Sequence, residues 1–256
     1  RRYPAVSHNK WVMVWMGDVQ LADRALLPDN FSCDDADWRY LPGYLHYETP
    51  WELIADNLLD FSHLSYVHAG TLGGTDQIAH VRPTVQAVEH GVRVMRRVAG
   101  VPPPAYYRAL WDYGGLIDRW IDYSFTLPAT LLMRSGARPA GAAQDDDRVG
   151  VRFHSCQALT PETDRSTHYF FQESHRAEQG DAGTTQAIFD GLLTAFHEDR
   201  EMIGAQWRNL ALRTDRPMLP LAMDAALMLF RRQLQAAVDA EAAAAVTPLA
   251  TPVAST

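Results

Sequence analysis

Apolar and polar positions alternate along Val81–Val88 and again along Val92–Val98, with Glu89-His90-Gly91 between them. A period of two sends successive side chains to opposite faces of a strand, so this pair predicts a hairpin. Val149, Val151, Phe153 and Ser155 alternate with Gly150, Arg152 and His154 and predict a half-buried strand. A turn at Pro161–Asp164 leads from it into a second strand, Thr167–Glu173. Trp11–Met16 reads as a strand running into a turn at Gly17-Asp18, and Leu45–Thr49, Trp120–Leu127 and Leu131–Met133 as further strands. Three stretches carry a helical period instead: Trp51–Tyr66, Gly183–Leu212 and Leu221–Ala240. Thr49 is the expected N-cap of the first, with Pro50 at its first helical position and Glu52 completing a capping box. Gly136–Asp147 is polar and predicts a flexible loop; Glu241–Thr256 is low in complexity and predicts a disordered tail.

The order is strand, helix, a run of antiparallel strands, then two helices, which is an α+β pattern rather than alternating βαβ units. The 47% apolar and 21% charged composition suits a globular domain, and the formal net charge of −8 supplies no basic stripe for nucleic acid. No apolar run approaches twenty residues, so no membrane span is expected. Cys33 and Cys156 give neither a disulfide framework nor a metal-ligand spacing, which fits a reducing cytoplasm.

The chemistry concentrates in Asp56–His68, "DNLLDFSHLSYVH", where polar groups sit among Leu58, Leu59, Phe61, Leu64 and Val67. On a continuous helix Asn57, Asp60 and His63 share a face. His68 lies five residues beyond His63, so two histidines serving one metal require the helix to end or distort between them. A third group comes from the later helix, where Asp199 falls on the apolar stripe of Leu192, Phe196, Ile203, Trp207 and Leu210. A buried carboxylate needs a cation, either an arginine or a metal. Glu198 lies off that stripe and is expected in solvent. Two imidazoles and one carboxylate form the facial triad of non-heme Fe(II) oxygenases, and they also suit zinc.

"DNLLDFSHLSYVH" resembles the mononuclear-iron motif of Rieske non-heme iron oxygenases, in the vanillate O-demethylase and dicamba monooxygenase branch. "YPAVSHNKWVMVWMGD" resembles the segment closing the Rieske domain of that family, "TPETDRSTHYF" its strand-turn-strand, and "AFHEDREMIGAQ" its third-ligand helix. The resemblance implies a helix-grip catalytic domain, a curved antiparallel sheet around a C-terminal helix. It implies that His63, His68 and Asp199 hold a mononuclear Fe(II) that works with O2. Asp60 corresponds to the acid linking an iron ligand to the Rieske histidine of a neighbouring subunit, in a head-to-tail homotrimer, and Asn57 to an amide beside the iron. The implied activity is O-demethylation or hydroxylation of a substituted aromatic compound, with electrons from a ferredoxin or reductase. Trp120, Tyr123, Phe125, Phe153, Tyr169 and Phe170 are available for the pocket walls, though each more often serves as plain core.

A Rieske [2Fe–2S] cluster needs a Cys-x-His and a Cys-x-x-His pair. Cys33 is followed by Asp34-Asp35-Ala36 and Cys156 by Gln157-Ala158-Leu159, so the cluster must come from a domain outside this sequence. The expected organisation is therefore the end of a Rieske domain and connector over 1–30, the iron domain over 31–240 and a tail over 241–256. Two other readings remain open: a metal-free helix-grip protein that binds a small molecule, and a zinc hydrolase, for which no H-E-x-x-H element is present.

Overall fold

The computed structural model describes residues 2–73, 75–143, 149–212 and 219–246. β1 (Ala5–His8) and β2 (Trp11–Val14) pair as a separate two-stranded sheet. β3 (Trp38–Tyr47) then leads into α1 (Trp51–Leu59), and the short α2 (Asp76–His80) precedes the hairpin of β4 (Thr84–Val88) and β5 (Gly91–Val101). After α3 (Ala105–Arg108) come β6 (Ile117–Thr126), β7 (Thr130–Pro139), β8 (Val151–Pro161) and β9 (Thr167–Arg176), followed by the long α4 (Ala182–Leu212) and α5 (Ala225–Val246).

The seven longer strands form one antiparallel sheet in the order β3-β9-β8-β7-β6-β5-β4. This is the expected α+β, helix-grip type of architecture. The alternation of β6 decides its orientation: Ile117, Arg119, Ile121, Tyr123 and Phe125 are buried, while their neighbours are half-exposed. α4 lies against this inner face, where the Phe196 ring sits 5.2 Å from Tyr169 and 4.8 Å from Phe171. The Tyr47 hydroxyl donates to the Phe196 carbonyl at 2.9 Å and fixes the helix to β3. α5 closes the other end, with Phe230 edge-on to Phe125 and Arg231 forked onto Asp56 of α1. Burial pushes the Asp56 carboxyl up to about 6 despite that cation.

Four local expectations are corrected. The Trp51–Tyr66 helix stops at Leu59, because Asp60 takes an extended backbone (φ −125°, ψ 93°). Pro50 rather than Thr49 occupies its N-cap position, without a side-chain cap, and the Thr49 carbonyl accepts from the Thr167 hydroxyl of β9 at 2.9 Å. Gly136–Pro139 belongs to β7 rather than to a loop, whereas 144–147 lie outside the described residues. Residues 241–246 continue α5 where a tail was expected, and 247–256 lie outside the described residues.

β8 also departs from its half-buried pattern, since residues 151 and 153–157 are all buried. The turn Phe31–Cys33 covers its outer face: Ser32 Oγ lies 3.1 Å from His154 Nδ1 and accepts from the Ser174 hydroxyl at 3.0 Å. Burial, with the Arg134 charge adding to it, lowers His154 to about 4. Above about pH 6.5 the ring is neutral in both folded and unfolded chains. Between there and about 4 only the unfolded chain takes up the proton, so stability falls as pH falls. His154→Gln is expected to recover part of a loss on the order of 2.5 kcal/mol at pH 4.5, measured by urea unfolding at pH 7.5 and pH 4.5.

Candidate metal centre

The break at Asp60 builds the centre. The Asp60 carboxylate accepts from the Ser62 amide at 2.9 Å and from its hydroxyl at 2.6 Å, capping a 3-10 turn over Phe61–Ser65. The "Asp-Phe-Ser" spacing was the available signal for this cap, since an aspartate accepting from the amide two residues on starts a new turn. The turn ends at Ser65, between the two histidines. Their rings then meet at 5.2 Å between centroids and 75° between planes.

Asp199 arrives from α4, 5% exposed, as the apolar stripe required. Its Oδ1 lies 3.0 Å from His68 Nε2 and 3.5 Å from His63 Nε2, and it accepts from Asn57 Nδ2 at 2.9 Å. One ligand atom from each of His63, His68 and Asp199 lies within 4.8 Å of the others. Ligand atoms surrounding one divalent ion at about 2.1 Å stand roughly 3 Å apart, so this donor set fits a single metal with small adjustments. Asn57 therefore joins the cluster through Asp199, not by sharing a helix face with Asp60 and His63.

Each imidazole is held from behind. His63 Nδ1 donates to the Asp60 backbone carbonyl at 2.6 Å, which leaves Nε2 as the atom available to a metal. The carboxylate of Asp60 does not make that contact; it faces Ser62, with Arg96 Nη2 at 3.8 Å. His68 Nδ1 donates to Glu198 Oε2 at 2.8 Å, and the Thr71 hydroxyl donates to the same oxygen at 2.8 Å. Glu198 stays partly solvated, 36% exposed at its side chain, as its place off the stripe allowed, yet it also serves the cluster. Off the stripe by one residue, its longer side chain still reaches across to the loop carrying His68 and Thr71. Burial lowers His63, partly offset by Asp199. Burial acts the same way on His68, but the carboxylates of Asp199 and Glu198 outweigh it and raise that ring.

The cluster opens into a cavity of about 60 Å³ between the inner sheet face, α1 and α4. Leu58, Phe61, Leu64, Ile121, Leu192 and Phe196 line it on the apolar side, and Arg119, Ser135, Gln157 and Glu173 on the polar side. The aromatic residues available for the walls lie outside the cavity lining. Tyr123, Phe125, Phe153 and Tyr169 are buried core, Phe170 is 39% exposed, and Trp120 packs under the Arg138 guanidinium. A cavity of about 150 Å³ is large enough to take a benzene ring, and this one is smaller.

Among the described residues no helix is long and apolar enough to cross a membrane. Residues 47–240 match the family model of the vanillate O-demethylase oxygenase C-terminal domain. The chain is 36% identical to the iron–sulfur subunit of the toluene-4-sulfonate monooxygenase system of Comamonas testosteroni, covering 94% of this chain and 71% of that protein. It is 34% identical to a vanillate O-demethylase oxygenase subunit of a Pseudomonas species, covering 95% and 76%. The crystal structure of dicamba monooxygenase bound to 3,6-dichlorosalicylic acid superposes with a TM-score of 0.84 at 25% identity, covering 96% of this chain and 71% of that one. A curved sheet gripping a helix, two histidines on an interrupted helix and these relatives agree: the chain belongs to the vanillate O-demethylase oxygenase family of Rieske-type monooxygenases and carries its catalytic-domain portion.

Proposed function

We propose that this chain is the catalytic part of a cytoplasmic terminal oxygenase that O-demethylates or hydroxylates a substituted aromatic compound, with His63, His68 and Asp199 holding one ferrous ion. The observation that carries this reading is the convergence of those three ligand atoms at the mouth of an internal cavity. The names of the relatives, which act on toluene-4-sulfonate, vanillate and dicamba, support the aromatic substrate class. Residues 31–240 form the iron domain in this reading, and 1–30 the connector from a domain bearing the [2Fe–2S] cluster.

Held by His63, His68 and Asp199, a ferrous ion would supply O2 chemistry to an overall reaction in which substrate, O2, two electrons and two protons give oxygenated product and water. Oxidised at a methyl ether, the substrate becomes a hemiacetal that releases formaldehyde and a phenol. The protein's own contribution is position. Asp60 and Glu198 fix the two imidazoles so that both Nε2 atoms face one point, and Asn57 holds the Asp199 carboxylate in register. Leu58, Leu192 and Phe196 keep the cavity dry. Asp60, 23% exposed at its side chain, is the proposed inlet for electrons from the cluster of a neighbouring subunit in a homotrimer, itself reduced by a ferredoxin or reductase.

The test is elemental analysis after anaerobic iron loading, followed by assay of the cluster-bearing protein with a reductase for formaldehyde release from methoxyaromatics. One iron per chain, lost in His63→Ala, is the expected result. Stoichiometric zinc, or no metal, overturns it.

A further inference from the structure

β3 is an edge strand, and its register with β9 sets His46 directly opposite His168. Leu45, Tyr47, Tyr169 and Phe171 turn inwards to the core, so His46, His168 and Tyr44 stand on the outer face, away from the buried cluster. Residues directly opposite across two strands have Cβ atoms about 4.5 to 5.5 Å apart, close enough for their side chains to share a ligand. The two imidazoles lie 5.4 Å apart between centroids. The rings of His63 and His68 stand at nearly the same separation, 5.2 Å.

Both outer Nε2 atoms are directed at one carboxylate. Glu162, in the turn after β8, places Oε2 2.8 Å from His46 Nε2 and Oε1 3.8 Å from His168 Nε2. Behind His168, Nδ1 lies 2.9 Å from the Tyr44 hydroxyl, and the tautomer that donates there leaves Nε2 free to ligate. The bond to His46, with one to Ser166, lowers the Glu162 carboxyl and keeps it anionic. His46, His168 and Glu162 are 38%, 33% and 44% exposed at their side chains. Ion pairs so exposed add little to stability, whereas two imidazoles and a carboxylate converging beside solvent are a donor set with open positions.

Ligand atoms around one zinc ion stand roughly 3 Å apart. Among the described residues only His63, His68 and Asp199 already bring three ligand atoms within 4.8 Å of one another. The outer set is wider, and closing it takes a rotation that half-exposed side chains can make. Nitrogen donors suit zinc, nickel or copper, whereas calcium and magnesium take oxygen ligands.

We propose that His46, His168 and Glu162 form a second, surface site for a divalent transition ion, with Tyr44 orienting His168. The ion ties the edge strand β3 to β9 and to the turn between β8 and β9. This site is independent of the buried centre and of the oxygenase reading.

The full chain, loaded anaerobically with iron and desalted, is titrated calorimetrically with zinc chloride, and total bound metal is measured by elemental analysis. The wild type is expected to hold one metal ion per chain more than His46→Ala or His168→Ala, whatever fills the buried centre. Each of these substitutions should weaken the outer site by more than about tenfold, since losing a group that merely orients a ligand already costs about that much. Glu162→Gln, which lies in a turn and disturbs no strand, should weaken it in the same direction. Tyr44→Phe should weaken it several-fold and keep the stoichiometry. Zinc should raise the unfolding temperature of the wild type by more than that of His46→Ala, because an ion bound to the folded chain stabilises it. Calcium chloride should reproduce none of these effects. Circular dichroism checks the fold of every variant. Equal metal content and equal affinity in the wild type and both histidine variants overturn the site, as does zinc that only replaces iron mole for mole.

Discussion

Asp199→Ala is expected to leave a folded protein with less than a tenth of an iron per chain and no measurable oxygenation. The carboxylate is the one anionic member of the cluster, within 3.0 Å of His68 Nε2 and 3.5 Å of His63 Nε2. Without it, two neutral imidazoles hold a divalent ion with a weaker field and no face closed. Second-sphere changes alone lower metal affinity by about 10- to 100-fold, so removal of a direct ligand should exceed that. Asp199→Asn separates charge from shape: it keeps an oxygen at the site and should still lose most of the iron. The measurement is iron per chain after anaerobic loading and desalting, alongside circular dichroism to follow the fold. Wild-type iron content in Asp199→Ala would show that the ion is held elsewhere.

Glu198→Ala is expected to lower iron affinity by about 10- to 100-fold without removing any ligand. Glu198 accepts from His68 Nδ1 at 2.8 Å and so holds its Nε2 towards Asp199 and His63. Its carboxylate also raises the electron density of the imidazole, which the carbonyl behind His63 does to a smaller extent. Glu198→Gln retains a neutral acceptor and should fall between wild type and alanine. Thr71→Val, which removes the second donor to Glu198, should have a smaller effect of the same sign. Competition with a chromophoric chelator reads the affinities. An unchanged value in Glu198→Ala would mean that packing alone orients His68, whose ring is 1% exposed.

The sequence reading and the structure part company at particular residues. The spacing of five between His63 and His68 correctly demanded an interruption, but the main break lies earlier, at Asp60, where the side chain prefers to cap the next turn. Asp199 was legible because an acidic residue on an apolar stripe contradicts its surroundings. Glu198 was not, because periodicity assigns it to the helix flank and says nothing about a loop 130 residues away in sequence. Arg119 occupies an inward position of an alternating strand, and no local pattern shows whether such a residue faces core, solvent or ligand. The aromatic residues available for the walls mostly serve as plain core, the commoner role, and sequence alone does not separate the two because core burial and cavity lining leave identical signatures along one strand.

The sequence by itself determined most of the strands, though not β1 or the greater part of β3, the longer helices, the family and which residues cluster as candidate metal ligands. These follow from side-chain periodicity and from chemically improbable groups in apolar settings, both of which are local properties. Only the tertiary structure decided which atoms meet. Asp60 holds His63 through its carbonyl, Glu198 holds His68 through its carboxylate, and the Phe31–Cys33 turn buries the outer face of β8. Those contacts join segments far apart along the chain, and their geometry depends on how the sheet curves around α4, a property of the packed whole.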